Sequence, residues 1–272
     1  MKKCYEKYFR DNLPQIFCAG CGNGIVMGAW ARAMEKMGLD NNDCVGISGI
    51  GCSSRITSYI DLYTLHTAHG RALPFAIGVK MCKPEMNVFV FSGDGDCAAI
   101  GGNHFIHACR RNINMTLIVI NNSIYGMTGG QYSPLTPTGH FATTAPYGNI
   151  DPAFDLCKLA EASGATFVAR GDIYHARQLT DLIVEGHRHK GFSVIEVVSG
   201  CPISYGRRNK IYGAPALLKH IKEHSVPVAT AAKMGDEDLK GKWRVGVLYK
   251  AEAKEYVEAY QELVAKVQGG IK

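Results

Sequence analysis

Asn87-Val-Phe-Val-Phe-Ser-Gly-Asp-Gly-Asp96 decides the fold. Its four consecutive apolar residues predict a strand buried on both faces, because a strand with one wet face would alternate apolar and polar positions. Ser92 to Asp96 is the turn that follows it, and Ala98 to Arg110 has the spacing of a helix. Met115-Thr-Leu-Ile-Val-Ile120 repeats the buried-strand pattern and ends at Asn121-Asn122. Upstream, Cys44-Val-Gly-Ile-Ser48 reads as a short strand opening into the loop Gly49 to Arg55. A helix is expected over Gly22 to Met37, stopped by Gly38, and another over His69 to Cys82, stopped by Lys83-Pro84. Downstream, helices over 153–163 and 173–190 alternate with strands over 165–169 and 192–198. The alternation predicts an α/β fold, a doubly wound and mainly parallel sheet with helices on both faces, over residues 1–210. Residues 211–272 hold helical segments and a less regular stretch from Pro227 to Lys242. They are expected to form a C-terminal helical tail that packs on the core or on a partner subunit.

The 272 residues are 46% hydrophobic and 20% charged, a balance that excludes wholesale disorder. Apolar runs stay far short of the roughly 20 residues a membrane helix needs, and no apolar signal core follows Met1. The expectation is a soluble cytoplasmic protein without membrane contact. The net charge of +6 is spread along the chain, apart from a modest concentration at Arg207, Arg208 and Lys210. No nucleic-acid motif accompanies it. Residues 112–150 carry no Asp, Glu, Lys or Arg, and beyond the strand they are rich in Asn, Thr, Gly, Ser and Pro. A long neutral loop in a compact domain suits an active-site cover or a subunit interface.

Gly93-Asp94-Gly95-Asp96 falls where a buried strand ends and a helix opens, which is where open α/β sheets bind ligands. Glycines there let the backbone approach a phosphate, and the helix N-terminus attracts the anion. Asn122 ends the next strand, so Asp94 and Asn122 fall at the same sheet edge. A carboxylate, an amide oxygen, a backbone carbonyl and phosphate oxygens make a hard-oxygen shell for Mg²⁺. The interval from Asp94 to Asn122 fits the thiamine diphosphate signature. The chain also has ten cysteines. Cys82, Cys97, Cys109 and Cys157 lie in helical apolar patterns, where a free Cys is expected as a small buried hydrophobe. Cys18-Ala-Gly-Cys21, Cys52 and Cys201 are different, since each lies in a loop that can reach the carboxyl edge of the sheet. Four thiolates there suit zinc as well as a 4Fe–4S cluster, and spacing alone leaves the two open.

Five motifs occur in order: Phe17-Cys-Ala-Gly-Cys-Gly-Asn-Gly, Ser48-Gly-Ile-Gly-Cys-Ser-Ser-Arg, His69-Gly-Arg-Ala-Leu-Pro, Ser92-Gly-Asp-Gly-Asp and Asn121-Asn-Ser-Ile-Tyr-Gly-Met-Thr-Gly-Gly-Gln131. Over about residues 12–202 the chain resembles the β subunit of 2-oxoacid:ferredoxin oxidoreductases, most closely the 2-oxoglutarate type. The resemblance implies one 4Fe–4S cluster on Cys18, Cys21, Cys52 and Cys201, in preference to zinc. It implies Mg²⁺ held by Asp94, Asn122 and the carbonyl of Ile124. Ile50, Gly51, Cys52, Ser53, His69, Gly93, Gly95, Asp96, Gly126 and Met127 are then expected around thiamine diphosphate. His69 and Arg55 are expected to act in catalysis, with Arg55 meeting the substrate carboxylate. Gly129 and Gly130 are expected to leave space and backbone N–H groups for the second carboxylate of 2-oxoglutarate.

The implied activity is coenzyme A-dependent oxidative decarboxylation of a 2-oxoacid, with electrons passing through the cluster to ferredoxin. The chain has room for one thiamine-binding α/β domain, so an α subunit carrying the pyrimidine-binding domain is expected to complete the site. Small additional subunits fit the same pattern. Pyruvate or branched-chain 2-oxoacid enzymes of the family are the alternative within it. A non-oxidative thiamine-dependent lyase would need no cluster cysteines. A non-catalytic zinc-bound scaffold is the reading from another class.

Overall fold

The computed structural model describes residues 2–269. Met1 and residues 270–272, the outer ends of the two segments expected from sequence, lie outside the described residues. The strands are β1 (Cys44–Ser48), β2 (Tyr63–His66), β3 (Asn87–Gly93), β4 (Met115–Asn121), β5 (Phe167–Asp172), β6 (Phe192–Val198), β7 (Ser225–Pro227) and β8 (Trp243–Lys250). They form one sheet in the order β2-β1-β3-β4-β6-β5-β8-β7. The first six are parallel, and β8 runs antiparallel to β5. The longer helices are α1 (Lys2–Tyr8), α2 (Asn23–Met37), α3 (Ala72–Cys82), α4 (Gly102–Arg111), α5 (Leu156–Ala162), α6 (Ala176–Arg188), α7 (Gly213–His224) and α8 (Tyr256–Gln268). None of the described helices is long and apolar enough to cross a membrane.

Every residue of β1 and β4 is buried, as expected of strands covered on both faces. Alternate side chains divide the interior in two. Phe89, Phe91, Ile118 and Ile195 pack with α2 and α6, around Trp30. Val88, Val90, Leu117 and Val194 pack with α3, α4 and α5, around Phe105. Trp30 is fully buried and meets Phe89 and Phe91 edge-on at 6.0 and 5.8 Å, so its loss would cost about 3–5 kcal/mol.

Helix boundaries follow local chemistry. Gly38, at φ 68°, ends α2 by donating its N–H to Glu35 and Met34, as its stop signal predicts. Asp155 caps α5, which begins three residues later than expected from sequence. The helix expected from Ala98 instead starts as a wide π-type turn, Gly95–Ile100, directly after Asp94.

The C-terminal segment requires a correction. It holds the expected helices α7 and α8, but it is more than a helical tail, because β7 and β8 extend the sheet beyond β5. Only Val245 is fully buried in β8, so this edge region lacks the continuous apolar run that marks a central strand.

Candidate active site

β1, β3, β4 and β6 all point their carboxyl ends to one edge of the sheet. The loops that follow β1, β3 and β4 surround a cavity of about 140 Å³. Ile50 to Ser53 supply one wall, Gly93 to Asp96 a second, and Asn122 with Ile124 to Thr128 a third; His69 completes it. Every residue expected around the diphosphate and Mg²⁺ therefore lines a single cavity. Tyr125 and Thr128 also line it, and no role had been read for them in the sequence. A larger cleft of about 730 Å³ sits at the opposite edge, between the end of α6 and β8. Its charges pair with one another, as in Lys250–Glu185 at 3.0 Å and Lys190–Glu258 at 2.6 Å.

The two aspartates of the Gly-Asp-Gly-Asp turn do different work. Both oxygens of buried Asp96 are occupied by the chain: Oδ1 accepts from the N–H groups of Ile50 (3.1 Å) and Gly70 (2.7 Å) and faces His69 Nδ1 at 2.7 Å. Oδ2 accepts from Ser92 Oγ at 2.5 Å. Asp96 thus ties the loops after β1 and β2 to β3 and orients His69. With Nδ1 donating to the carboxylate, a neutral His69 ring keeps Nε2 as an acceptor.

Asp94 is 3% exposed, and burial pushes its carboxyl up to about 7. That push outweighs hydrogen bonds from Ser133 Oγ (2.5 Å) and from the N–H groups of Gly95 and Ile124. Such a carboxylate is under-compensated for its burial, and a bound cation would supply the missing charge. Asn122 Oδ1 lies close by, accepting from Ile124 N–H at 3.2 Å. Ser133 belongs to the uncharged loop, which therefore closes over Asp94. The same loop exposes Tyr147 (97%) and Ile150 (88%) to solvent, the composition of an interface.

The four loop cysteines gather beside this cavity. Cys52 lines it, and a Cβ on Gly126 would lie 3.5 Å from Cys52 Sγ and 3.6 Å from Cys201 Sγ. The Cys21 thiol has Cys201, Cys52 and Cys18 as electrostatic neighbours; burial pushes it up to about 11, against a hydrogen bond from the Asn23 N–H. Cys201 Sγ accepts from Ser204 N–H at 3.3 Å. All four are free thiols. Among the described residues, the trio of His, Cys or carboxylate ligands drawn within 4.8 Å of one another is Asp155, Cys157 and Glu196, so no three of these thiols are gathered that tightly. A single zinc ion with bonds of about 2.3 Å would need them closer than that, whereas a four-iron cube needs more room.

The C-terminal segment positions the cysteine loops. A Cβ on Gly20, at φ +80°, would lie 2.3 Å from Ala214, and one on Gly200 would lie 1.6 Å from Leu217. These close approaches seat α7 on both the Cys18–Cys21 turn and the Cys201 loop. No local sequence signal announces them.

Three expected residues fall elsewhere. Arg55 does not line the cavity; it is exposed, with Cys52 and His66 as electrostatic neighbours. Gly129 and Gly130 do not line the cavity either. Their N–H groups donate to the carbonyls of Gly126 (3.5 Å) and Tyr125 (2.9 Å), and Gly130 lies under Thr143 and Ser204. These glycines shape a turn and hold no N–H free for a second carboxylate.

Comparison with known proteins agrees with this geometry. Residues 49–197 match the family model of the thiamine pyrophosphate enzyme C-terminal TPP-binding domain. The chain is 52% identical over 263 residues to 2-oxoglutarate synthase subunit KorB of Methanocaldococcus jannaschii, covering 96% of this chain and 97% of that protein. It is 38% identical to the 2-oxoacid:ferredoxin oxidoreductase subunit beta of Saccharolobus solfataricus, covering 92% and 85%. Among solved structures, it superimposes with a TM-score of 0.87 and 31% identity on the 2-oxoglutarate:ferredoxin oxidoreductase of Magnetococcus marinus, solved with 2-oxoglutarate, coenzyme A and succinyl-CoA bound. That match covers 98% of this chain and 91% of the other. With the cavity, the aspartate pair and these relatives in hand, the chain belongs to the β subunits of the thiamine diphosphate-dependent 2-oxoacid:ferredoxin oxidoreductases, in the 2-oxoglutarate synthase group.

Proposed function

We propose that the chain oxidises 2-oxoglutarate to succinyl-CoA and CO₂ together with an α subunit, and that electrons leave through a 4Fe–4S cluster to ferredoxin in the cytoplasm. The observation that carries this reading is the gathering of four free thiols beside the cavity that Asp94 and Asn122 line. When bound, thiamine diphosphate supplies the electron sink for decarboxylation. The chain's own residues do the rest. Asp94, Asn122 and the Ile124 carbonyl hold Mg²⁺. The N-terminal turn after Asp94, with Gly93 and Gly95, leaves the backbone open to the diphosphate. Ile50, Gly51, Ser53, Gly126 and Met127 wall the cofactor against water. His69, fixed through Nδ1 by Asp96, offers Nε2 as an acceptor to the reacting centre.

Arg55, exposed and an electrostatic neighbour of Cys52, meets the carboxylate adjoining the ketone once the α subunit closes the cavity. The distal carboxylate of 2-oxoglutarate is read by side chains outside the Gly129–Gly130 turn. The second α/β domain needed to activate the cofactor comes from the α subunit, and the uncharged loop with Tyr147 and Ile150 suits that interface.

The test is the enzyme assembled from both subunits, compared with this chain alone. Expected are a broad absorption near 400 nm (approximate, typical of such clusters), iron and sulfide in equal amounts, and the highest kcat/KM on 2-oxoglutarate among 2-oxoglutarate, pyruvate and 2-oxoisovalerate. The chain alone should turn over none of them. Zinc without iron would overturn the redox reading, and a preference for pyruvate would overturn the substrate.

A further inference from the structure

Asn23 is 1% exposed, and both its amide nitrogen and its amide oxygen lack a hydrogen-bond partner among the described residues. A buried primary amide with neither end satisfied costs the fold the hydration it gave up. Leucine has the same number and branching of side-chain heavy atoms without that cost, so the amide is worth its place only if something else meets it. Asn23 opens α2 two residues after Cys21, and its own backbone N–H already bonds the Cys21 sulfur. Ser54 repeats the pattern: its hydroxyl is buried and unpartnered, and it stands two residues after Cys52. Side chains left with orphaned polar atoms thus follow two of the four site cysteines at the same interval.

We propose that Asn23 is a positioning residue for the iron–sulfur group, its side-chain N–H donating to a sulfide sulfur of that group at the Cys21 corner of the site. The inference rests on the cluster reading given above. Sulfur gains negative charge when the cluster is reduced, and a fixed N–H donor favours the more negative state. Asn23 therefore raises the reduction potential, and its amide is satisfied only when the site is filled.

The test is an anaerobic redox titration of the assembled holoenzyme, followed by electron paramagnetic resonance. In Asn23→Leu, iron and sulfide stay at the wild-type level while the midpoint moves negative. The ratio of reduced to oxidised cluster at a fixed potential falls about tenfold, which is about 59 mV for one electron. Asn23→Ser, which keeps a donor, recovers part of the shift. In the cluster-free enzyme, Asn23→Leu leaves the unfolding temperature unchanged or higher. If Asn23→Leu takes up no cluster, Asn23→Ser against Asn23→Ala makes the same comparison, with Ala the more negative. A wild-type midpoint in the donor-free variant at full occupancy overturns the proposal. So does a lower unfolding temperature of the cluster-free Leu variant, which would reveal a partner within the fold. Wild-type enzyme without iron and sulfide would overturn the cluster reading itself, a result distinct from either.

Discussion

Cys18, Cys21, Cys52 and Cys201 lie in loops at the carboxyl edge of the sheet, exposed or half-buried, whereas Cys44, Cys97, Cys109 and Cys157 are buried in the layers beneath; Cys82, expected to be buried with them, is instead exposed at the end of α3. At the edge, backbone N–H groups point at sulfur and the thiols are one another's neighbours. In the core, burial holds Cys109 as a neutral thiol, burial and the neighbouring Asp96 and Asp94 do the same for Cys97, and Cys157 donates to Glu196 Oε2 at 3.2 Å. On the proposed reading, the same side chain is a ligand in one region and a small hydrophobe in the other. Exposure at the sheet edge separates the two, since Cys52 and Cys97 each lie four residues past a strand, one half-buried and the other buried.

The strongest way to break that contrast is to remove one sulfur from each region. Cys52→Ala should abolish the cluster, because three thiolates leave one corner open beside the cavity. Cys109→Ala should keep full iron and cost on the order of 1 kcal/mol of stability, the transfer and cavity cost of one buried atom. Iron and sulfide content with urea unfolding reads both. Full iron in Cys52→Ala would erase the distinction between the regions.

A second contrast lies inside one turn, and it sharpens the first. Asp94 and Asp96 are both buried, yet Asp96 is saturated by Ile50, Gly70, His69 and Ser92, while Asp94 remains short of compensating charge. Asp94→Ala should therefore remove Mg²⁺-dependent binding of thiamine diphosphate, at several kcal/mol of affinity, and leave in place the loops that Asp96 ties. Titration calorimetry on the assembled enzyme measures it. Affinity equal to wild type would remove Asp94 from the metal shell.

Sequence made some of this legible and hid the rest for physical reasons. β1, β3, β4 and β6 were readable because central parallel strands are apolar on both faces. β2, at the sheet edge, and β8, beside the edge strand β7, were not, because strands near an edge keep exposed or charged positions such as Tyr63, Arg244 and Lys250. The Asp94 and Asn122 pair was readable because each follows its strand directly. Ser133, 39 residues beyond Asp94, was not, since the uncharged loop returns to the site only by tertiary folding. Gly129 and Gly130 looked open because a glycine in sequence does not reveal where its N–H is spent. α7 sits on the cysteine loops through Gly20 and Gly200, contacts that no periodicity encodes.

The last comparison sets the site against the layer that supports it, and its expected effect is the smallest. His187, on α6, stacks on Phe89 of β3 at 4.5 Å. Its Nδ1 lies 3.1 Å from Thr116 Oγ1 and its Nε2 3.0 Å from Asn87 Oδ1. Burial, aided by the Lys80 ammonium, lowers its pKa to about 4. The unfolded chain, with an ordinary imidazole near 6.5 (approximate), binds a proton that the folded chain refuses over the interval between these values. Stability from the neutral ring is therefore fully present above about pH 6.5, falls as pH drops, and stops falling below about pH 4. The whole interval is worth up to about 3 kcal/mol. Urea unfolding of wild type and His187→Gln from pH 7.5 to 4 isolates it, because the carboxylates titrate alike in both. The gap between the two curves should change by about that amount, with the variant less sensitive to acid. Parallel curves would mean that the imidazole is protonated as readily in the fold as outside it, and that the supporting layer is wetter than its packing indicates.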